Sequence, residues 1–331
     1  MNPPDPHNPL LLLLAGMVLD AAFGDMPGLF TRIPHPVALV GRAIAFFERK
    51  LNRPQRDEQR RRERGIVTVV VLVGGAAATG WFLQWACRQA PVGAVFEALI
   101  IAVILAQRSL FLHVAAVAAA LLAGGVPAGR NAVAHIVGRD PATLDAAGIA
   151  RAAIESLAEN FSDGVVAPAC WYLVLGLPGL LAYKMANTLD SMIGHHGPRY
   201  QAFGWAAARL DDLLNLIPAR LSGLLLAAAA AFAGDASPGA AWHIMLRDAR
   251  RHRSPNAGWP EAAVAGALGL ALAGPRHYAE GIVTDPWIGS GTPQAGPLDI
   301  ARALRLYTLA CLIGGGLVFG VWLAAHFTQP G

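Results

Sequence analysis

Three carboxylates and an amide lie within the stretch ESLAENFSDG. Glu155, Glu159 and Asp163 follow one another at intervals of four residues, so a helix would carry them along one stripe with Asn160 beside it. No lysine or arginine follows any of them at i+4, so the helix itself does not offset their repulsion. Because Mg²⁺ prefers carboxylates combined with a substrate phosphate, the stripe predicts a divalent-cation site. A solvated helix face is the structural alternative.

A second polar face occurs in YKMANTLDSMIG. Lys184, Asn187 and Asp190 recur at helical spacing, which brings a cation, an amide and an acid together. A lysine beside acidic groups is a common phosphate-binding arrangement. The alternative is a lysine that snorkels to the membrane edge, and it explains Lys184 alone.

The stretch RLDDLLNLIPAR contains adjacent acids followed by an amide. Asp211, Asp212 and Asn215 form the pattern DDxxN, with Arg209 and Arg220 on either side. Such a group suits Mg²⁺ that carries a phosphorylated ligand. The alternative is a helix N-cap, which needs only one of the acids.

A fourth stretch, RDARRHRSPNAGWPEAA, is rich in hydrogen-bond donors. Its arginines are accompanied by His252, Ser254 and Asn256, and Glu261 follows. A cytoplasmic membrane anchor is the alternative for the arginines. The turn SPNAGWP, however, holds more donors than an anchor needs, which favours a binding site.

The composition places these stretches in a membrane protein. Of 331 residues, 55% are hydrophobic and 15% are charged, whereas about a quarter of a soluble domain is charged. Nine basic residues and four acids lie between Arg42 and Arg64, beside an uncharged apolar stretch. This pattern is typical of a cytoplasmic anchor, so we expect no nucleic-acid binding. By the same rule, residues 42–64 and 108–163 should be cytoplasmic loops, except that the Ala-rich segment 110–124 could span the membrane or pack as a core helix.

The apolar segments predict an all-α fold, a polytopic integral membrane helical bundle that forms a single membrane-embedded domain over residues 1–331. Residues 66–87 and 306–327 each supply about 20 apolar residues, enough to cross the hydrocarbon core. Residues 10–24 and 92–107 are shorter candidate spans, and each carries one acid.

Two further apolar segments are broken. The sequence GLPG interrupts residues 165–182, and Asn215, Pro218 and Arg220 interrupt residues 213–232. We expect interrupted or re-entrant helices there, because broken helices at membrane depth are tolerated where they line a cavity. Cytoplasmic amphipathic helices should accompany them. An ordinary Pro-kinked helix is the alternative for each segment.

Together, these stretches resemble the signature blocks of the cobinamide(-phosphate) synthases of the cobalamin pathway. The resemblance rests on ESLAENFSDGVVAP, YKMANTLDSMIGH, FGWAAARLDDLLNLIPARL and RDARRHRSPNAGWPEAA. The short motifs GD at 24–25, PHPV at 34–37 and IGSG at 288–291 fit the same pattern. The blocks occur in the same order along essentially the whole chain, and residues 54–64 match no motif.

The resemblance implies a multi-pass enzyme of the bacterial inner membrane whose active site faces the cytoplasm. Enzymes of this family attach (R)-1-amino-2-propanol, or its O-phosphate, to the free propionate carboxylate of adenosylcobyric acid. The bond formed is an amide, and the reaction is ascribed to ATP and Mg²⁺. Membrane lipid is an implied partner, and a homo-oligomer or an association with other late cobalamin-pathway membrane enzymes stays open.

Amide formation suggests roles for the polar residues. A carboxylate must first become an acyl phosphate or an adenylate, which requires a metal and cations around the nucleotide phosphates. Metal ligands are therefore expected at Glu155, Glu159, Asp211 and Asp212. Proton acceptors for the attacking amine are expected among Asp163, Asp190 and His252. The remaining polar side chains of the blocks, and two near the N-terminus, are expected to bind substrate or phosphate: Asn160, Lys184, Asn187, Arg209, Asn215, Arg220, Arg253, Ser254, Asn256, Glu261, Asp25 and His35.

The basic cluster of the fourth stretch bears on the identity of the amine. A phosphate on aminopropanol adds about two negative charges and needs cations beyond those that hold ATP. Arg250, Arg251 and Arg253 supply a further set. They favour the phosphorylated amine, with Arg253 as the expected contact to its phosphate.

Two other functional classes remain open. A transporter would also explain broken helices and buried charge, but the sequence shows no inverted repeat. A Mg²⁺-dependent intramembrane prenyltransferase or phosphotransferase would explain DDxxN, but a second Asp-rich motif is missing. Detection of ATP-dependent amide formation would distinguish the amide-forming enzyme from both the transporter and the transferase.

Overall fold

The computed structural model describes residues 5–24, 36–137, 141–194, 197–278 and 281–328. It is 78% helical with almost no strand, which confirms the predicted all-α membrane fold. A π turn at Ser162–Val166 and 3₁₀ turns at Pro141–Thr143 and Ala249–Arg251 join some of the helices. The helices are α1 (Pro9–Phe23), α2 (Pro36–Leu51), α3 (Glu58–Gln89), α4 (Gly93–Ile104), α5 (Gln107–Val133), α6 (Ala146–Phe161), α7 (Ala167–Ile193), α8 (Trp205–Leu214), α9 (Leu216–Ala229), α10 (Pro238–Asp248), α11 (Gly258–Leu268) and α12 (Pro297–Thr328).

Several helical segments are long and apolar enough to cross a membrane. In the described part of the chain these are Glu58–Gln89, Gly93–Val133, Ala146–Ile193 and Pro297–Phe327, and the bent pair of α8 and α9 adds a fifth if it counts as one span. Large apolar side chains on α3 and α12 remain exposed, for example those of Val70, Trp81 and Leu312. Exposed apolar surface of this kind fits contact with lipid. The predicted segments 66–87 and 306–327 lie within α3 and α12, and α1 and α4 cover most of 10–24 and 92–107.

The expected helix breaks are present. Gly176 interrupts α7 with φ 68° and ψ −151°, within the predicted GLPG break. Gly125 interrupts α5 in the same way, with φ 62° and ψ −153°, at a position where no break was predicted. Pro127 and Pro178 follow two residues later, where proline suits the first turn of the next helical segment. A bend of 48° separates α8 from α9 at Asn215, as the pattern of residues 213–232 predicted.

The two segments expected on the cytoplasmic side, residues 42–64 and 108–163, are largely helical, and their side of the membrane stays a prediction. Helices α2 and α3 cover most of the first range, and α5 and α6 cover most of the second. Asp57 caps α3 by accepting the Arg60 N–H at 2.8 Å, so this helix extends into a charged segment outside its apolar part. The charged residues before Gly65 therefore mark where the apolar part of α3 begins, but the helix itself begins earlier, at Glu58.

The chain forms two compact units. The first consists of Met1–Leu105, Ala167–Asn215 and Phe327–Gly331, and the second of Ala106–Val166 and Leu216–His326. The single domain over 1–331 stays a prediction.

In the first unit, α3 packs closely on α7. The two backbones approach so tightly that a Cβ on Gly80 would lie 2.5 Å from the carbonyl oxygen of Leu177. Only glycine permits this approach without a shift of the backbone. Ile44, Leu189 and Phe203 lie fully buried in a core nearby. This packing fixes the position of α7, which carries the second polar face.

In the second unit, α11 is buried along almost its whole length. An antiparallel hairpin of β1 (Leu272–Tyr278) and β2 (Gly281–Ile288) follows it, with Leu272 paired to Ile288 and an irregularity between Ala273 and Pro275. The sequence did not predict this hairpin, because its strands are short and contain glycine and proline.

Candidate functional site

In the first unit, Asp211 lies at the centre of a buried polar cluster. Its carboxylate accepts hydrogen bonds from the side-chain amides of Asn187 at 3.3 Å and Asn215 at 3.0 Å. The Asn215 amide oxygen accepts a further bond from the Tyr183 hydroxyl at 2.9 Å. Asp211 is 8% exposed, and Asn215 and Tyr183 are each 1% exposed. The structure thus brings together the second and third stretches, which the sequence had only suggested separately.

More charge surrounds this cluster. Asp190 and Asp212 lie close enough to Asp211 to repel its carboxylate electrostatically. Asp212 is about one-third exposed and lies 3.7 Å from the guanidinium of Arg209. Lys184 precedes Asn187 by one turn on the same helix. The first unit therefore concentrates three carboxylates, two amides and cations on α7, α8 and the C-terminal cap of α8.

The N-cap explanation for DDxxN is wrong. Helix α8 ends at Leu214 and the following helix, α9, begins at Leu216, so both acids lie in the last turn of α8 and neither directly precedes α9. The C-terminal end of a helix carries partial negative charge, and an acid there is unfavourable by roughly 0.3–1 kcal/mol. Trp171 meanwhile donates its indole N–H to the Leu214 carbonyl at 3.1 Å, which satisfies one of the carbonyls that the helix end leaves open. The acids therefore occupy positions that helix stability does not favour.

The oxygens of this cluster fit a divalent cation. Each Asp211 oxygen receives a bond from a neutral amide, which leaves the negative charge in place and a further lone pair available. In the described ranges, no group of three or more His, Cys, Asp or Glu residues is placed to hold a metal by itself. Mg²⁺ at a phosphate-transfer site usually takes only one or two carboxylates, together with waters and substrate phosphates.

In the second unit, the carboxylate stripe runs from the interior to the surface. Glu155 is 6% exposed and accepts the backbone N–H of Ala273 at 2.9 Å, so it holds the start of the hairpin. Glu159 and Asn160 are exposed, and Asn160 donates to the Ser156 carbonyl at 2.9 Å. Asp163 lies in the π turn, a feature often found at functional sites.

The fourth stretch contains a buried acid that sequence reasoning missed. Asp248 is fully buried, and it binds Arg247 at 2.6 Å, Arg251 at 3.1 Å and the Gly289 N–H at 2.9 Å. The hydrogen bonds from Arg247 lower the pKa of Asp248 below its usual range, although burial opposes this effect. The sequence did contain a signal for this ion pair, because Asp248 is the one acid within the arginine-rich sequence RDARRHR.

Most other polar groups of this stretch have structural contacts. Arg253 pairs with Asp285 on β2 at 2.7 Å. The Ser254 hydroxyl accepts the N–H groups of Asn256 and Ala257 and so shapes the turn before α11. His252 lies 3.7 Å from the buried carboxylate of Glu261.

Arg220 lies on α9, where its guanidinium stacks over the Trp259 ring at 4.6 Å. It also donates to the Leu216 carbonyl at 2.5 Å. The Arg250 charge lies near enough to affect it electrostatically.

The predicted site residues thus divide between the units. Asp25 and His35 lie outside the described residues. The predicted metal ligands are also divided, with Glu155 and Glu159 in the second unit and Asp211 and Asp212 in the first. The first unit holds Lys184, Asn187, Asp190, Arg209, Asp211, Asp212 and Asn215. The second holds Glu155, Glu159, Asn160, Asp163, Arg220, His252, Arg253, Ser254, Asn256 and Glu261.

Comparison with known proteins points to one family. The model of a family described as CobD/Cbib protein matches residues 13–307. A cobalamin biosynthesis protein CobD from a Sinorhizobium species is 52% identical over 94% of this chain and 98% of its own length. Proteins of the same name from Rhizobium meliloti and Rhodobacter capsulatus are 50% and 47% identical, over 92% and 94% of this chain and 94% and 96% of their own lengths. No solved structure matches the chain significantly.

Proposed function

This chain belongs to the CobD/CbiB protein family. On that premise we propose that it is an amide-forming enzyme, as its resemblance to the cobinamide(-phosphate) synthases implies. Its relatives are named for cobalamin biosynthesis, which supports a role in that pathway with a corrinoid substrate. We propose that it joins (R)-1-amino-2-propanol, or its O-phosphate, to the propionate carboxylate of adenosylcobyric acid with ATP and Mg²⁺. The site would face the cytoplasm, where ATP is found.

The observation that carries this proposal is the polar cluster around Asp211. Buried carboxylates are rare in membrane proteins and usually mark a functional site. Here three acids lie near one another, and two of them occupy a helix end that disfavours them. Asp211 and Asp212 would hold Mg²⁺, which neutralises the phosphate oxygens of ATP when it is bound. Asn187 and Asn215 would keep the Asp211 carboxylate in position through the bonds described above.

The chemical step then needs two further groups. The propionate oxygen attacks ATP and forms an acyl phosphate with release of ADP, or an adenylate with release of pyrophosphate. The amine nitrogen then attacks the acyl carbon. Phosphate or AMP leaves as the amide bond forms, and the amine gives up a proton. Asp190 is our proposed acceptor because it belongs to the same cluster as Asp211, and Lys184 is the proposed contact for a phosphate oxygen. Asp163 and His252, in the second unit, stay predicted participants. For Glu155, which accepts the Ala273 N–H, and for the exposed Glu159, we propose no part in the chemical step.

The test is a mass-spectrometric assay of the purified chain in detergent. With adenosylcobyric acid, ATP, Mg²⁺ and each amine in turn, we expect a product with the mass of acid plus amine minus water. The product should require both ATP and Mg²⁺. Asp211→Asn should abolish it, whereas Asp235→Asn, which changes an ion pair with Arg302, should not. Folded wild-type protein that forms no amide with either amine would refute the proposal.

A transporter is the second candidate because α5, α7 and the α8–α9 pair are all broken. Proteoliposomes would separate it from the enzyme. Movement of a corrinoid across the vesicle membrane without any change in its mass would favour transport.

A further inference from the structure

Five arginines near Trp259 and the fourth stretch differ in whether a carboxylate pairs with them. Arg247 and Arg251 share Asp248, and Arg253 pairs with Asp285. Arg220 and Arg250 have no carboxylate partner among the residues that the structure describes. Arg250 is exposed, and Arg220 is partly buried against Trp259. Among the described residues, Asp248 and Asp285 thus account for three of these five arginines, and Arg220 and Arg250 have no counter-charge.

The packing holds these two arginines in one neighbourhood. One turn after Arg220, Gly223 packs on the Trp259 backbone, where an added Cβ would lie 3.1 Å from the carbonyl oxygen. At the start of α11, Gly258 lies against the 3₁₀ turn of Arg250, where an added Cβ would be 2.1 Å from the Ala249 carbonyl oxygen. Helix α9, the start of α11 and this turn therefore meet at the two glycines.

Two neighbouring guanidinium groups repel each other, and a bound anion would reverse that cost. Stacking on Trp259 fixes the plane of the Arg220 guanidinium and leaves N–H donors at its edge. Such donors match phosphate oxygens in a bidentate arrangement. Chloride would satisfy the charge but would not use this geometry.

We propose that Arg220 and Arg250, with Trp259 beneath Arg220, form a phosphate-binding site in the second unit. This site takes the role that the sequence analysis gave to Arg253, which was the contact to the phosphate of the amine. Asp285 already neutralises Arg253. The assignment of the ligand to a substrate rests on the proposed function, whereas the site itself does not. A phospholipid headgroup carries the same phosphate chemistry and is the other source.

The test measures phosphate binding without turnover, so it is informative even if no amide is formed. Inorganic phosphate is titrated into the purified full-length chain in detergent, and the dissociation constant is taken from ³¹P NMR line broadening. Arg220→Gln and Arg250→Gln should each weaken binding about 10-fold, which corresponds to about 1.4 kcal/mol. The matched control, Arg253→Gln, should change it less than twofold.

Two further measurements show whether the bound phosphate belongs to a soluble ligand or to a lipid headgroup. If the chain in phosphatidylglycerol nanodiscs binds phosphate as it does in a detergent without phosphate groups, such as dodecyl maltoside, the ligand is a soluble phosphate. If phosphatidylglycerol displaces phosphate in the wild type but not in Arg220→Gln, the ligand is a headgroup, and the site stands. Equal weakening by all three substitutions would mean only diffuse positive charge and would overturn the proposal. So would unchanged binding in Arg220→Gln and Arg250→Gln.

Discussion

The Asn215 side-chain amide donates to the Asp211 carboxylate at 3.0 Å, across the place where the chain bends by 48° between α8 and α9. Asn215 is both the C-terminal cap of α8 and a member of the polar cluster. The helix break and the candidate site are therefore one feature. The Asn215 amide oxygen also accepts the Tyr183 hydroxyl at 2.9 Å, which ties the end of α8 to α7.

Asp212→Asn should abolish amide formation and leave the protein folded in detergent. Its carboxylate is partly exposed and pairs only loosely with Arg209, at 3.7 Å, so the loss of stability should stay below about 1 kcal/mol. Any residual activity should need more Mg²⁺. Thermal unfolding and a Mg²⁺ titration of turnover measure both effects. Arg209→Gln is the matched control for loss of the ion pair, and normal turnover in Asp212→Asn would remove this residue from the metal site.

Two buried tyrosines on α7 offer a paired comparison. Tyr183 donates to Asn215 and Tyr172 to Glu97, each at 2.9 Å, and both are 1% exposed. Replacement by Phe leaves a buried acceptor without its donor in each case, at a cost of about 1–3 kcal/mol in the free energy of unfolding. Only Tyr183→Phe should also lower kcat, by about 10-fold, because only Tyr183 orients the Asp211 cluster.

Turnover per folded molecule, with unfolding midpoints measured alongside, distinguishes the two tyrosine variants. Similar turnover in both would mean that the Tyr183 bond serves stability alone.

The sequence predicted the helical membrane fold and the breaks near Gly176 and Asn215, because each depends on local pattern. Helical spacing placed Asn187 on one polar face with Lys184 and Asp190, and glycine, proline and asparagine marked the breaks. That this face meets Asp211 was not predicted, because the contact joins two separate stretches. The sequence also could not predict that Glu155 holds Ala273 or that Arg253 pairs with Asp285. Those contacts join residues far apart in the sequence through a hairpin that has no strong strand pattern. Local spacing carries no information on such partners.

Asp248 should stabilise the fold in a pH-dependent way. Because its folded pKa is lowered, its stabilising effect is complete above the unfolded pKa of about 3.9 and is lost as the pH falls through the folded value. Asp248→Asn should lower the free energy of unfolding by about 1–3 kcal/mol at pH 7, since it removes hydrogen bonds to charged groups. The difference from wild type should stay constant between about pH 8 and 5 and shrink below about pH 4.

Unfolding midpoints in detergent across this pH range test the prediction for Asp248. The control is Asp235→Asn, whose carboxylate is 38% exposed where it pairs with Arg302 and Arg305, so its effect should be below about 1 kcal/mol. A difference for Asp248→Asn that persists unchanged to pH 2.5 would contradict the assigned pKa direction.

Substitutions at Glu155 distinguish a structural role of this residue from a catalytic one. Its carboxylate oxygen accepts the Ala273 N–H at 2.9 Å inside the second unit. A glutamine keeps an acceptor at this position, whereas an alanine leaves the N–H without one, which costs about 1–3 kcal/mol. We therefore expect Glu155→Gln to keep wild-type stability and turnover within twofold, and Glu155→Ala to lose stability. Glu159→Gln, on the exposed part of the same helix, controls for a change of charge. If Glu155→Gln keeps its unfolding midpoint but loses turnover, the carboxylate charge itself is needed, and the metal role predicted from the sequence is the better account.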